Sequence, residues 1–215
     1  MMFQRIRLHA RGFVYRLLKY PRMWYHAVKA KKNNNFTPTI ICNNCTAGFL
    51  LHDLQLQFRT PTINTLFYSF DEFMLFVQNL HELQHTSVYP IASSYAYPVG
   101  EIKLKGGAIR VGFVHYSSFE DAMTAWKRRF ERVNFSNLYV LYEGQITEKE
   151  VETFSKLPYP KAILSHKNVA LETKYEFYHG FGFYKKWYPG IIGDYKNWFS
   201  LQRWLDDFNY IEFLN

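Results

Sequence analysis

Thr39-Ile40-Ile41-Cys42-Asn43-Asn44-Cys45-Thr46-Ala47-Gly48-Phe49-Leu50-Leu51-His52-Asp53-Leu54 begins as an apolar β-type run, breaks at two asparagines, and resumes with helical spacing. It reads as strand, sharp turn and helix, with Thr39–Cys42 as the strand and Thr46–Leu54 as the helix. Cys45 falls at the first turn. Backbone N–H groups at a helix start lack intrahelical acceptors and carry partial positive charge, so they favour an anion there. A thiol in that place is expected to ionise more easily, and the thiolate is the reactive form. Both cysteines of the chain lie in this stretch.

Downstream, Arg59-Thr60-Pro61-Thr62-Ile63-Asn64 is rich in turn-forming residues. Asp71 is expected to cap a helix carrying Phe73, Phe76, Val77, Leu80 and Leu83 at three- and four-residue steps. Pro90 to Pro98 reads as a loop. Glu101–Lys105 and Ile109–His115 around Gly106-Gly107 read as a hairpin. Ser118 with Asp121 opens a helix through Glu131, and Thr147 with Glu150 forms a capping box for a helix to Leu157. Leu138–Tyr142 and Lys161–Ser165 read as strands, and Trp198–Phe208 as helical. Alternating strands and helices predict an α/β fold of three layers, mostly parallel, with an inserted hairpin. Ligands of such folds bind at the carboxyl ends of the strands, where Asn43, Asn44, Cys45, His115 and Tyr116 are expected.

Upstream, residues 3 to 20 place Phe3, Ile6, Ala10, Phe13, Val14, Leu17 and Leu18 at helical spacing among arginines, and Pro21 suits the first turn of a second helix, Arg22 to Lys32. Residues 1 to 52 hold nine Lys or Arg and no Asp or Glu, whereas the remainder is near neutral. The basic charge thus belongs to an arm, residues 1–35, and not to the body, residues 36–215, read as a single α/β domain. A nucleic-acid partner would want a basic face on the body, so none is expected. A basic amphipathic helix suits an anionic membrane surface, met through residues 3–32. It equally suits packing on its own domain or a partner subunit. No run reaches about 18 apolar residues, and the arginines interrupt any signal-like apolar stretch, so the expected place is the cytoplasm, peripheral at the inner face of the plasma membrane.

With 215 residues, 48% of them hydrophobic, the chain can build one sizeable core. Its 20% aromatic content suits either that core or a surface for sugars and bases. Cys45 is the candidate nucleophile, His115 its base, and Asn43 and Asn44 the oxyanion donors. The competing reading makes Cys45 a small residue closing a tight turn. Cys42 and Cys45 also form a C-x-x-C redox spacing, against which Cys42 ends an apolar strand. His52 is the one near ligand candidate for a metal, so none is expected. Asp53 could orient a histidine. Asn64, Tyr116, Trp126, Lys127, Arg128, Arg129 and Asn134 are the candidates for substrate or phosphate contact, the basic ones through charge-assisted bonds. The alternative for Trp126-Lys127-Arg128-Arg129 is a solvated face with the indole in the core.

Several motifs follow one another in a recognisable order: Asn43-Asn44-Cys45-x-x-Gly48, Thr60-Pro61-Thr62-Ile63-Asn64, Phe73 through Asn79-Leu80, Tyr97-Pro98-Val99-Gly100, His115-Tyr116-x-Ser118, Ala122-x-x-x-Trp126-x-x-Arg129, Arg132-x-Asn134-x-x-Asn137 and Leu157-Pro158-Tyr159. In these, residues 36 to 165 resemble a bacterial family described as exopolysaccharide biosynthesis proteins. The basic arm and the C-terminal fifth lie outside the resemblance. More distantly, the turn is similar to capsule-biosynthesis enzymes that bind coenzyme A and carry Gly-Asn-Cys-Gln after their first strand. This chain has Thr46 at the Gln position. The likeness implies a hydrolase-like or Rossmann-like fold, Cys45 as nucleophile and His115 as base. It implies transfer of an acyl group, such as acetyl, from acyl-coenzyme A to a hydroxyl of a sugar or lipid-linked sugar. A non-catalytic scaffold of polysaccharide assembly and a glycosyltransferase are the alternatives. The latter usually wants a metal-binding Asp-x-Asp, and here Asp206-Asp207 are adjacent.

Overall fold

The computed structural model describes residues 2–182 and 186–215, with the side chains of the first helix described from residue 12 onward. Phe3, Ile6 and Ala10 of the amphipathic reading therefore lie outside the described side chains.

Among the described residues, two four-stranded sheets organise the fold. The first is parallel throughout, in the order β1 (Thr39–Cys42), β6 (Leu138–Glu143), β7 (Lys161–His166), β8 (Tyr178–Phe181). The second is antiparallel, in the order β2 (Leu66–Phe67), β5 (Gly107–Gly112), β4 (Val99–Leu104), β3 (Tyr89–Ile91). The predicted hairpin is thus β4–β5, but it belongs to a separate sheet and is not inserted in the parallel one. The class is mixed α/β.

Side chains of the parallel sheet alternate between two cores, as the pleat requires. Ile41, Val140, Tyr142 and Ile163 join one cluster with Phe73 and Phe76 of α3 (Phe70–Gln78), Leu80 of α4 (Leu80–Leu83), Trp126 of α5 (Phe119–Phe130), Phe154 of α6 (Glu148–Ser155) and Leu171 of α7 (Val169–Lys174). Ile102, Ile109 and Val111 of the antiparallel sheet complete it. Ile40, Cys42, Leu141, Ala162 and Leu164 face the other cluster. There they meet Ala47, Leu50 and Leu51 of α2 (Thr46–Asp53) and Ile192, Leu205, Phe208, Tyr210 and Leu214 from the C-terminal segment, which ends in α8 (Tyr210–Leu214).

Local signals account for most helix starts. Ser118 caps α5, Thr147 and Glu150 form the capping box of α6, and Asn168 caps α7. At α3 the cap is Ser69, whose hydroxyl accepts from Glu72 N; Asp71 lies inside the first turn, where its charge suits the helix dipole. Trp198–Phe208 is not a helix: only a 3-10 turn, Trp204–Asp207, forms before α8. The strand expected to reach His115 stops at Gly112.

β1 is an edge strand, and its free side is covered. Cys42 N donates to Thr62 Oγ1 at 3.1 Å, so the loop after Arg59 occupies an edge donor that would otherwise invite a foreign strand, and Thr39 Oγ1 anchors that loop by donating to Arg59 O at 3.1 Å.

The N-terminal segment is one helix, α1 (Met2–Ala30), with Pro21 inside it, and not two helices divided at Pro21. Its second half is fastened to the body. Buried Arg22 donates to Ser200 O and Trp198 O at 2.9–3.0 Å and lies 3.6 Å over the Tyr195 ring. Lys29 donates to Asp206 at 3.1 Å, and Asn215 bonds both Asn34 N and Lys32 O. Among the described residues no helix is long and apolar enough to cross a membrane.

Candidate functional site

The end of β1 is built around a carboxylate from the neighbouring strand. Asn43 continues the β1–β6 ladder with its side chain: its Nδ2 donates to Glu143 O at 2.9 Å and its Oδ1 accepts from Glu143 N at 2.8 Å. Asn44 Nδ2 and Thr46 Oγ1 each donate to Glu143 Oε2 at 2.5 Å. Gly190 N, from a left-handed position with φ 83°, approaches both carboxylate oxygens at 3.1–3.2 Å. Asn44 Oδ1 in turn accepts from Thr46 N at 3.0 Å and fixes the start of α2.

Glu143 is fully buried. Burial pushes its pKa up to about 7 against the pull of the donors from Thr46, Asn44 and Gly190. Asn44 is therefore spent on this carboxyl and Asn43 on the Glu143 main chain, and neither projects as a free oxyanion donor. Glu143 itself was not among the sequence candidates. The available signal was an acid closing the apolar run Leu138–Tyr142, just before Gly144.

Cys45 occupies the N-cap position of α2 without a side-chain cap bond, and its Sγ lies 3.9 Å from Thr65 O. Its pKa is raised to about 11, first by burial and then by the Glu143 charge, against a weaker lowering from the Asn64 backbone. This reverses the expected effect of the helix start: desolvation and a nearby anion outweigh the peptide dipoles. Cys42 is sealed in the core, where burial pushes its thiol up to about 12. Both thiols are free, and a buried, protonated Cys42 offers no redox partner of the usual kind.

His115 lies on an exposed turn with φ 75°, and among the described residues no hydrogen bond joins it to Cys45. Its neighbour Tyr116 does reach this side of the molecule: Arg129 Nη1 donates to Tyr116 OH at 2.7 Å and to Ile63 O at 2.9 Å. Asn64, next in the chain, adopts a left-handed conformation with φ 61°. Asn43, Asn44, Cys45 and Asn64 are thus brought together, with Tyr116 and Arg129 bracing the loop behind them.

The rest of the basic stretch divides. Trp126 is buried against Phe76, Phe113 and Phe130 at 5.6–5.8 Å, so it is core and not a ligand platform. Arg129 is buried and committed. Lys127 and Arg128 are exposed, and Lys127 rims a cavity of about 510 Å3 with His85, Met123 and Glu131. Asn134 is a structural cap: its Oδ1 accepts from Ser136 N, and its own N–H donates to Thr39 Oγ1.

A second polar cluster joins α1, α2 and the C-terminal segment. Asp53 pairs with Arg203 and lies 3.4 Å from Nδ1 of buried His26; its neighbour His52 approaches it at 3.8 Å from an exposed position. Burial first, then the Arg203 charge, lowers the His26 pKa to about 4. Asp206 is taken by Lys29 and by Arg203 N. Among the described residues no group of three or more His, Cys, Asp or Glu is placed to hold a metal ion. A cavity of about 710 Å3 lies over this cluster, lined in part by Lys19, Arg22, Phe49, His52 and Arg203.

Fold and site together define a mixed α/β protein with a tuned, buried carboxyl at the carboxyl edge of a parallel sheet. A family model described as a domain of unknown function, DUF1919, matches residues 18–215, and the chain belongs to that family. An uncharacterized protein of Haemophilus influenzae is 28% identical over 201 residues, which cover 92% of this chain and 93% of the relative. The match takes in the docked half of α1 and the C-terminal segment, both left outside the motif resemblance. These are the segments that fasten to each other.

Proposed function

We propose that this protein is a transferase of surface-polysaccharide assembly, working at the carboxyl edge of the parallel sheet. In its most specific form it moves an acyl group from acyl-coenzyme A to a sugar hydroxyl. The observation that carries the location is the convergence of Asn43, Asn44, Cys45 and Glu143 on one turn. The polysaccharide setting rests on the ordered motifs of residues 36 to 165. Cys45 sulfur would attack the thioester carbonyl, forming a Cys45 thioester and releasing coenzyme A, whose sulfur takes up the thiol proton. The sugar hydroxyl would then displace Cys45 as the ester forms, returning its proton to that sulfur. His115 is the candidate proton carrier, on a turn that must close toward Cys45 when substrate is bound. Glu143 acts as a positioning residue, holding Asn44, Thr46 and the Gly190 loop. Exposed Lys127 and Arg128 remain open to donor phosphates; Arg129 is withdrawn from that role.

The test is incubation with radiolabelled acetyl-coenzyme A. Label on Cys45 that passes to a sugar acceptor, and is absent in Cys45→Ser, is the expected result. No label and no transfer would overturn the reading. The raised pKa of Cys45 favours a second reading, a non-catalytic scaffold. Polysaccharide production that survives Cys45→Ser in cells would support it.

A further inference from the structure

The face of α1 turned away from the body carries Phe13, Leu17, Tyr20, Trp24 and Val28, which are 65%, 62%, 74%, 69% and 39% exposed. Their spacings of four, three, four and four residues hold them on one narrow stripe of the helix. The stripe runs roughly 22 Å at about 1.5 Å per residue. Of the apolar positions the sequence pattern placed on one face, Val14 turns inward instead and Leu18 is half-buried.

Exposed Arg16 lies beside the stripe, exposed Lys31 and Lys32 follow its end in the turn after α1, Lys19 lies further round, and no Asp or Glu occurs before Asp53. The opposite face is pinned by Arg22, His26 and Lys29. The stripe is therefore carried by a helix fixed to the body, not by a loose tether.

We propose that α1 lies along an anionic bilayer surface, with Phe13, Leu17, Tyr20, Trp24 and Val28 in the boundary between headgroups and acyl chains. Aromatic and aliphatic side chains between basic flanks are what such an interface accepts. A second copy of the chain is disfavoured as the occupant, because pairing two stripes would bring together two segments that each carry nine basic and no acidic residues. The fixed docking also sets orientation. With Arg22, His26 and Lys29 held against the body, the stripe faces away from it.

Co-sedimentation of the full chain with vesicles tests this. Binding to phosphatidylglycerol/phosphatidylcholine vesicles, weakened by salt and absent with phosphatidylcholine alone, is the expected result. The double variant Leu17→Glu/Trp24→Glu should lose at least about tenfold in binding while keeping the parent's melting curve, since both side chains are exposed. Equal binding to neutral vesicles, or undiminished binding by the variant, overturns the proposal. So does a solution dimer that the variant dissociates without any vesicle binding. No acyl donor enters the assay, so its outcome is separate from that of the transferase reading.

Discussion

Glu143 gives its surroundings a pH dependence of unusual sign. A carboxyl raised from 4.5 to about 7 on folding binds its proton more tightly in the native state. Its contribution is therefore fully present below the unfolded value and is lost as pH rises through about 7. The loss is about 3 kcal/mol as an order of magnitude. Glu143→Gln should flatten the fall in denaturation midpoint between those pH values, measured by urea titration at each pH. The same variant removes an anion that opposes Cys45 ionisation, so alkylation of Cys45 at mildly alkaline pH should accelerate. An unchanged rate would mean that burial alone holds the thiol.

At the scale of elements, α5 shows how a basic stretch becomes part of the framework. Ala122, Ala125, Trp126, Arg129 and Phe130 share its buried face, and Arg129 braces the Ile63–Asn64 loop. Arg129→Ala should cost about 3 kcal/mol, because it strands two acceptors as well as removing a charged donor. Arg128→Ala, on the solvent side, should stay within about 0.5 kcal/mol. Denaturant unfolding of the two variants measures the difference. The sequence already offered Trp126 as core; the same helical period puts Arg129 on that buried face, away from the solvated one. Ser118, Thr147 and the Asn43-Asn44 break were legible because caps and turns are local chemistry. Three features were not legible: the sheet that β4–β5 would join, the partner of Glu143, and the continuity of α1 through Pro21. The hairpin pattern is the same in either sheet. Asn43 and Glu143 are 100 residues apart. Pro21 removes one helical donor, a loss offset by Arg22, His26 and Lys29 docking just beyond it.

Across the whole molecule, α1 and the C-terminal segment act as one fastening. Removing residues 1–35 should not leave an intact body; it strips Arg22, His26 and Lys29 from Asp53, Asp206 and the Ser200 carbonyl. Amide exchange in residues 186–215 should rise sharply in the truncated chain, and unchanged protection there would refute the fastening. Acid should loosen it too. His26 is lowered to about 4 in the fold, so its contribution is present above its ordinary value near 6.5 and is lost as pH falls toward 4. This is the opposite sense to Glu143.

The bonds from Arg22 to Trp198 and from Asn215 to Lys32 bridge 176 and 183 positions of sequence. On the ribosome α1 emerges long before the residues that will hold it, and it waits with both faces bare. These bonds can close only after nearly the whole chain has been made, and contacts so far apart in sequence form late. During that interval a chaperone, or the lipid surface itself, can engage the helix before its own protein does.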